Sequence, residues 1–206
     1  MEIQTYNLLN VGVGGQGVIR AIQILSWAAL HEGFKVRTAE THGMAQRGGS
    51  VASYLRFGTE VEGPLIPRGE TNVILAFEAS EAVRNFNYAG TQTYFLINEK
   101  LIIPPMIHQQ GLEYPTINQI RKFLNDVSKH IHFIPADDLA QKAGNKRAMN
   151  VVMLGVLVGM NQIPIKRDTI FNSIMNFIPK KTKEINMKAF ESGIETGISI
   201  REEKNE

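Results

Sequence analysis

Residues 11–18 of the chain read VGVGGQGV, a glycine-rich stretch between two apolar segments. The segment before it, residues 6–13, has the composition of a buried β-strand. In the segment after it, residues 18–30, polar side chains recur at every third position from Arg20 to Ser26 and share one narrow face. This order predicts a strand, a tight turn and a helix that packs largely against a sheet.

The glycines of this turn have the spacing Gly12-x-Gly14-x-x-Gly17, which is found in dinucleotide-binding turns. Glycine permits positive φ angles, and its bare backbone lets a phosphate group reach the N–H groups at the amino end of the helix. Two interpretations are open: a binding site for a nucleotide-like anion, or a turn that lets a helix and a strand pack closely. Gln16 adds an amide that can donate and accept hydrogen bonds inside the turn.

Apolar and alternating segments continue along the chain. They predict strands at residues 6–13, 34–40, 50–57, 72–77, 93–98 and 132–135. They predict helices at residues 18–30, 78–87, 116–130 and 146–160, and two more amphipathic helices before the carboxyl end. Asp137 and Asn145 are expected to be helix N-caps. The alternation indicates one α/β domain over residues 1–206, a mostly parallel, Rossmann-like sheet with helices on both faces and a helical C-terminal part.

The composition is that of a folded globular protein, with 43% hydrophobic and 20% charged residues. The formal net charge of +2 provides no strong field for nucleic acid or an anionic membrane, so neither is expected as a partner. The 206 residues include no cysteine, which excludes disulfides and thiolate-bound metal sites among them. The sequence lacks a signal-peptide pattern and an apolar run of about 20 residues, so we expect a cytoplasmic protein.

The longest apolar run, residues 151–160, contains the pair Gly155-x-x-x-Gly159. Small residues one turn apart on a helix allow another helix to approach closely. The pair therefore predicts tight helix packing, either inside the core or at a subunit interface.

The second predicted strand runs into the stretch ETHGMAQRGGS, residues 40–50. In a doubly wound sheet this position lies at the carboxyl edge, where ligands bind. Glu40 is expected where the acidic residue of a dinucleotide site binds a ribose hydroxyl. Arg47 has a guanidinium suited to bind a carboxylate or phosphate through two hydrogen bonds. The alternative interpretation is a solvated turn with an exposed arginine.

The two motifs, in this order and spacing, resemble the gamma-type unit of 2-oxoacid:ferredoxin oxidoreductases. The resemblance also includes PLIP at residues 64–67 and NKRAMN at residues 145–150, and it extends over residues 8–193. Within that family, the chain is similar to the small (beta) subunit of indolepyruvate ferredoxin oxidoreductase.

The resemblance implies an enzyme subunit that is active only with a large (alpha) partner subunit. Such enzymes oxidatively decarboxylate a 2-oxoacid, here indolepyruvate or another aryl pyruvate, to an acyl-CoA and pass electrons to ferredoxin. Thiamine diphosphate and the iron–sulfur clusters then belong to the large subunit, CoA is a substrate, and this chain alone binds no cofactor or metal and carries no catalytic residue. The residues that the resemblance places near the ligand are Gly12, Gly14, Gly15, Gln16, Gly17, Thr41, Gln46, Arg47 and Gly48.

Two other functions are compatible with the residues. The first glycine motif together with Glu40 fits a self-sufficient NAD- or FAD-dependent oxidoreductase. Against this alternative, the sequence offers no convincing proton-transfer residue in a second domain. A nucleotide-sensing module without an enzymatic partner is the other alternative.

Overall fold

Strand β1 (Tyr6–Val13) precedes the glycine-rich turn, and all eight of its residues are buried. Burial on both sides is typical of a strand in the middle of a sheet that helices cover on both faces. The computed structural model describes residues 3–43, 48–104, 107, 111 and 113–203. Within these residues, β1 lies between two other strands near the centre of a single sheet.

The other strands are β2 (Lys35–His42), β3 (Ser50–Gly58), β4 (Thr71–Ala76), β5 (Ala89–Asn98) and β6 (His130–Ile134). The described residues form a sheet of order β2-β3-β1-β4-β5-β6. The pairs from β1 to β6 on one side are parallel, whereas β3 is antiparallel to both β1 and β2. The connection from β2 to β3 is too short for a crossover, so these strands form a hairpin. The predicted mostly parallel sheet is confirmed, with β3 as an antiparallel insertion.

The helices of the described residues are α1 (Val18–His31), α2 (Ala79–Arg84), α3 (Ile117–Asn125), α4 (Ala136–Ala143), α5 (Met149–Gly159), α6 (Arg167–Phe177) and α7 (Lys183–Glu202). α1 packs on β1, β2 and β3, while α2 packs on β1, β4 and β5. Two separate clusters of buried apolar side chains fill the two faces of the sheet. Helices on both faces and a helical C-terminal part are therefore confirmed. None of the described helices is long and apolar enough to cross a membrane.

Helices α2 and α3 are shorter than the residue pattern predicted. α2 ends at Arg84 and is followed by a single 3₁₀ turn, Phe86–Tyr88, before β5 begins. α3 ends at Asn125 because His130 already lies in β6, where it pairs with Tyr94 of β5. Residues whose apolar spacing alone fits a longer helix therefore pair in a strand instead.

One of the two expected N-caps is wrong. Pro135 occupies the cap position of α4, and the carboxylate of Asp137 instead accepts a hydrogen bond of 2.8 Å from the side chain of Asn98. Asn145 does act as a cap, because its side chain accepts the N–H of Arg147 (3.0 Å) in the 3₁₀ turn that leads into α5.

Helices α5 and α7 touch each other backbone to backbone through glycines. A Cβ atom at Gly155 would overlap the carbonyl oxygen of Phe190 and would lie 2.9 Å from the Cα of Gly193. Gly159 and Gly197 repeat this close approach one turn further along each helix. The Gly155-x-x-x-Gly159 pair therefore packs inside the chain, which is the core interpretation of the motif. Its counterpart in α7 was not singled out from the sequence.

We predict that Gly155→Ala lowers the free energy of unfolding by about 2 kcal/mol, because α5 and α7 must move apart to admit the methyl group. The loss arises although alanine favours helix by about 1 kcal/mol over glycine. Urea denaturation followed by circular dichroism measures the change. Gly63→Ala is the matched control, since a Cβ at Gly63 meets nothing within 4 Å. Equal stability of the two variants would contradict the glycine contact.

Candidate functional site

Positive φ angles occur at two positions of the glycine-rich turn. Gly15 has a φ of 104° and Gly17 a φ of 83°, conformations that other residues adopt only at a cost. Gly17 is the N-cap of α1, so the first N–H groups of this 14-residue helix face the turn. A Cβ at Gly17 would lie 2.7 Å from Nδ2 of Asn150 in α5. Glycine is thus required at position 17 by both the backbone and the neighbouring helix.

The side-chain amide of Gln16 joins the ends of two neighbouring strands. Its Oε1 accepts the N–H of Val13 at the end of β1 (2.7 Å), and its Nε2 donates to the carbonyl of Phe77 just after β4 (2.9 Å). A Cβ at Gly12 would lie 2.8 Å from the same Oε1 and 3.1 Å from the Cβ of Phe77. Gly12 and Gln16 therefore fix the shape of the turn.

The end of the β2–β3 loop lies against the turn. Gly14 donates its N–H to the carbonyl of Gly49 (2.9 Å), and its own carbonyl accepts the N–H of Gly48 (3.5 Å). The structure therefore brings Gly48 from the second motif next to Gly14 from the first. Gln46 and Arg47, the other predicted site residues of this loop, lie outside the described residues.

A cleft of about 770 Å³ opens between the turn, the first two turns of α1 and the base of the β2–β3 loop. We call it the glycine cleft. The glycines at positions 14, 15 and 17 form one wall, and Arg20 and Gln23 of α1 provide its polar side chains. Because backbone N–H groups and a guanidinium meet here, the cleft is suited to an anionic or polar ligand.

On the other side of the turn lies a smaller pocket of about 340 Å³, which we call the basic pocket. Gly15 and Gly17 form one wall, and three cations line the rest: Lys100 after β5, and Lys146 and Arg147 before α5. None of these cations forms an ion pair with another residue of the described part of the chain. Their charge is therefore available to an anion that reaches the turn.

Two further polar side chains line the basic pocket. Asn150 is only 9% exposed; its Oδ1 accepts the N–H of Val151 (3.0 Å), whereas its Nδ2 lies beside Gly17 and has no acceptor among the described residues. The carboxylate of Asp137 also faces the pocket and is bonded to Asn98 (2.8 Å). The buried amide adds a donor to the helix N–H groups and the cations. The resemblance includes residues 145–150, but only the cap role of Asn145 could be predicted from the residue pattern.

A third pocket of about 390 Å³ continues from the basic pocket past Arg147 and Asn150. We call it the adjoining pocket. Half of its lining residues are apolar and half are polar or charged. The apolar half includes the ring of Phe177, and the guanidinium of Arg20 lies over this ring at 5.7 Å from the centroid. Lys181 stands among its lining residues. The ring of Phe177 is suited to stack on a flat apolar group, and the nearby cations are suited to bind a phosphate attached to that group.

Thr41 lines a different pocket, of about 300 Å³, together with Tyr54 and Tyr88. The hydroxyl of Tyr54 donates to that of Tyr88 (3.1 Å), and burial, followed by this hydrogen bond, raises the pKa of Tyr54 to about 12. Tyr54 belongs to the apolar cluster on the α2 side of the sheet, whereas the first turns of α1 lie on the other side. The structure therefore does not bring Thr41 into the glycine cleft.

The expected position of Glu40 beside the turn is wrong. β3 lies between β2 and β1, so Glu40 is two strands away from the glycine turn. Two strand spacings amount to about 10 Å. In a dinucleotide-binding fold the acidic residue stands on the strand next to the turn. The short β2–β3 hairpin is the physical reason for the displacement.

Residues 7–196 match the pyruvate ferredoxin/flavodoxin oxidoreductase family, and the chain belongs to this family. A relative from Thermococcus kodakarensis, indolepyruvate oxidoreductase subunit IorB, is 39% identical over 193 residues, which cover 93% of this chain and 96% of the relative. The chain is thus similar over nearly its whole length to a named subunit of a multi-subunit oxidoreductase.

Solved structures agree on the fold. The gamma subunit of a keto/oxoacid ferredoxin oxidoreductase from Geobacter sulfurreducens superposes with a TM-score of 0.69 at 19% identity, over 94% of this chain and 99% of that one. A 2-oxoglutarate:ferredoxin oxidoreductase from Magnetococcus marinus, solved with 2-oxoglutarate, coenzyme A and succinyl-CoA bound, has the same TM-score at 20% identity. The match covers 98% of this chain but only 32% of that larger chain.

We predict that Gly17→Ala destabilises the protein more than Gly33→Ala does. Both glycines have nearly the same positive φ, 83° and 85°, so each variant pays about 1–2 kcal/mol of backbone strain. Only at Gly17 does the new methyl group also meet Asn150, whereas nothing lies within 4 Å at Gly33. Chemical denaturation of both variants measures the difference. A Gly33→Ala loss as large as that of Gly17→Ala would refute the contact with α5.

Proposed function

We propose that this chain is the small subunit of a ferredoxin-dependent 2-oxoacid oxidoreductase that acts on indolepyruvate and related aryl pyruvates. The proposal is supported by family membership and by 39% identity to an indolepyruvate oxidoreductase subunit over nearly the full length of both chains. The overall reaction consumes a 2-oxoacid, CoA and two oxidised ferredoxins. It yields an acyl-CoA, carbon dioxide, two reduced ferredoxins and one proton.

The observation that carries the proposal is the basic pocket beside the glycine turn. CoA presents a diphosphate and a 3′-phosphate, which need backbone N–H groups and cations that are not already paired. The amino end of α1 behind Gly17 supplies the N–H groups. Lys100, Lys146 and Arg147, which form no ion pair with any described residue, supply the cations. In this proposal the diphosphate lies at the turn, and the buried amide of Asn150 donates to it.

The adjoining pocket extends the proposal to the adenosine end of CoA. The ring of Phe177 and its apolar neighbours offer a surface for the base. Arg20 and Lys181 line the same pocket and are placed for the 3′-phosphate. The glycine cleft on the other side of the turn then receives the pantetheine arm on its way to the partner subunit.

A larger partner subunit completes the enzyme in this proposal. The 206 residues contain no cysteine to hold an iron–sulfur cluster. The described residues also include no group of three histidine or acidic side chains that would hold a metal ion. We therefore assign thiamine diphosphate and the clusters to the large (alpha) subunit, where the thiamine supplies the carbanion chemistry of decarboxylation. The clusters, when held by the large subunit, would supply the electron path to ferredoxin. We place the complex in the cytoplasm, where CoA and ferredoxin are found.

Recognition of the aryl group is also assigned to the partner subunit. The side chains that line the glycine cleft and the basic pocket, within the described residues, include no aromatic ring that would stack on an indole. A self-sufficient dinucleotide enzyme is a poorer explanation, because Glu40 stands two strands from the turn.

The decisive experiment purifies the tagged chain together with whatever large subunit accompanies it in its native cells. The complex is then assayed for CoA-dependent viologen reduction with indolepyruvate, phenylpyruvate, pyruvate and 2-oxoglutarate. We expect turnover with the aryl pyruvates and none with the small subunit alone. Recovery of a lone chain that binds NAD or FAD and is silent in the assay would overturn the proposal.

For the CoA site we predict that Lys146→Gln with Arg147→Gln raises the KM for CoA roughly tenfold, the loss of about 1.4 kcal/mol of phosphate contact. The KM for the oxoacid stays within about twofold, because neither cation faces the substrate in this proposal. Lys122→Gln with Lys129→Gln is the charge-matched control, since both lysines are exposed and neither lines the basic pocket. An unchanged KM for CoA in the double variant would show that CoA does not bind in the basic pocket.

A further inference from the structure

Helix α2 contains a buried carboxylate that contacts the first residue of β3, next to the glycine turn. Glu81 in α2 is only 4% exposed, although it is an acidic residue. Its Oε2 accepts a hydrogen bond from the hydroxyl of Ser50 (2.5 Å), and its Oε1 accepts one from Nε of Arg84 (3.0 Å). The side chain of Arg84 is 61% exposed, so it is mostly solvated and neutralises Glu81 only in part.

Glu81 is itself held rigidly. Its backbone N–H donates to Oε2 of Glu78 (3.0 Å), the fully buried N-cap of α2. Oε1 of Glu78 accepts the N–H of Ile102 (3.1 Å) beyond β5, and the hydroxyl of Tyr114 lies at 3.4 Å from it. Burial raises the pKa of Tyr114, which keeps this phenol a neutral donor. Two buried glutamates thus connect the segments that follow β4 and β5.

Ser50 connects the buried carboxylate of Glu81 with the glycine turn. It is the first residue of β3 and pairs with Val13, the last residue of β1 before the turn. Its neighbour Gly49 accepts the N–H of Gly14 (2.9 Å). An unbroken path therefore runs from the carboxylate of Glu81 through the Ser50 hydroxyl and the Gly49 carbonyl to the backbone of the glycine turn.

We propose that Glu81 is a positioning residue for CoA, acting through Ser50 to hold the glycine turn in its binding conformation. Burial of a carboxylate is costly, and ion pairs of this kind add little net stability, so a role in placement accounts for the group better than a role in stability does. The inference rests on the proposed CoA site at the turn. Glu81 touches no ligand itself, and its effect is expected on CoA affinity rather than on the rate of chemistry.

The test uses the assembled complex and measures kcat and the KM for CoA in the viologen assay. We expect Glu81→Gln and Ser50→Ala each to raise the KM for CoA about fivefold, equal to about 1 kcal/mol, with kcat within about twofold. Glu81→Gln replaces the carboxylate acceptor by a weaker amide acceptor, and Ser50→Ala removes the donor of the same hydrogen bond, so the double variant should be no worse than Ser50→Ala alone. Ser50→Thr keeps the hydroxyl and should restore the wild-type KM.

Ser53→Ala is the matched control on the same strand. Ser53 is fully buried and its hydroxyl has no partner among the described residues, so its removal should leave the KM for CoA unchanged. If Glu81→Gln fails to assemble, Ser50→Ala and Ser50→Thr carry the test alone. Reduced melting temperatures with an unchanged KM, or strictly additive effects in the double variant, would overturn the inference.

The outcome is separable from the proposed function. If Lys146→Gln with Arg147→Gln raises the KM for CoA while Ser50→Ala and Glu81→Gln do not, CoA binds at the turn but Glu81 does not position it. If none of these variants affects the KM for CoA, the CoA site at the turn and the role of Glu81 both fail.

Discussion

The side-chain amide of Gln16 makes the contact on which the shape of the glycine turn depends. By accepting from Val13 and donating to Phe77, it holds the end of β1 at a fixed distance from the end of β4. The backbone of the turn between Gly14 and Gly17 spans this fixed interval from strand to helix. The amide is satisfied on both sides by backbone groups of the chain itself, so the N–H groups at the amino end of α1 are already oriented for the proposed anion.

Much of this arrangement could be predicted from the sequence, for a physical reason. The strand, turn and helix around residues 11–18 are local features, set by apolar spacing and by the freedom of glycine, and they are found where expected. The position of Glu40 depends on which strand lies next to β1, and spacing along the chain carries no information about that. The insertion of β3 and the approach of Asn150 to Gly17 are both long-range events of this kind.

Electrostatics at the site come from local placement, since the total charge of the chain is small. The formal net charge is only +2, yet three cations lie around one turn: Lys100, Lys146 and Arg147. None of the three forms an ion pair within the part of the chain that the structure describes. They come from segments after β5 and before α5 that are distant in sequence. Two buried glutamates, Glu78 and Glu81, accept hydrogen bonds from neighbouring groups at the same edge of the sheet. Glu78 accepts the N–H of Ile102, which itself lines the basic pocket. Positive and negative groups therefore lie close together at this edge.

The antiparallel direction of β3 has a consequence for how this family can diversify. A strand inserted parallel to β1 would begin at the far end of the sheet and bring only one loop to the ligand edge. Because β3 runs the other way, both ends of the β2–β3 connection open beside the glycine turn, and Gly43 and Ser50 close it with a hydrogen bond of 2.8 Å. Strand pairing thus fixes both ends of the connection at this edge of the sheet. A change of residue between them acts on the wall of the site and leaves the register of every strand unaltered.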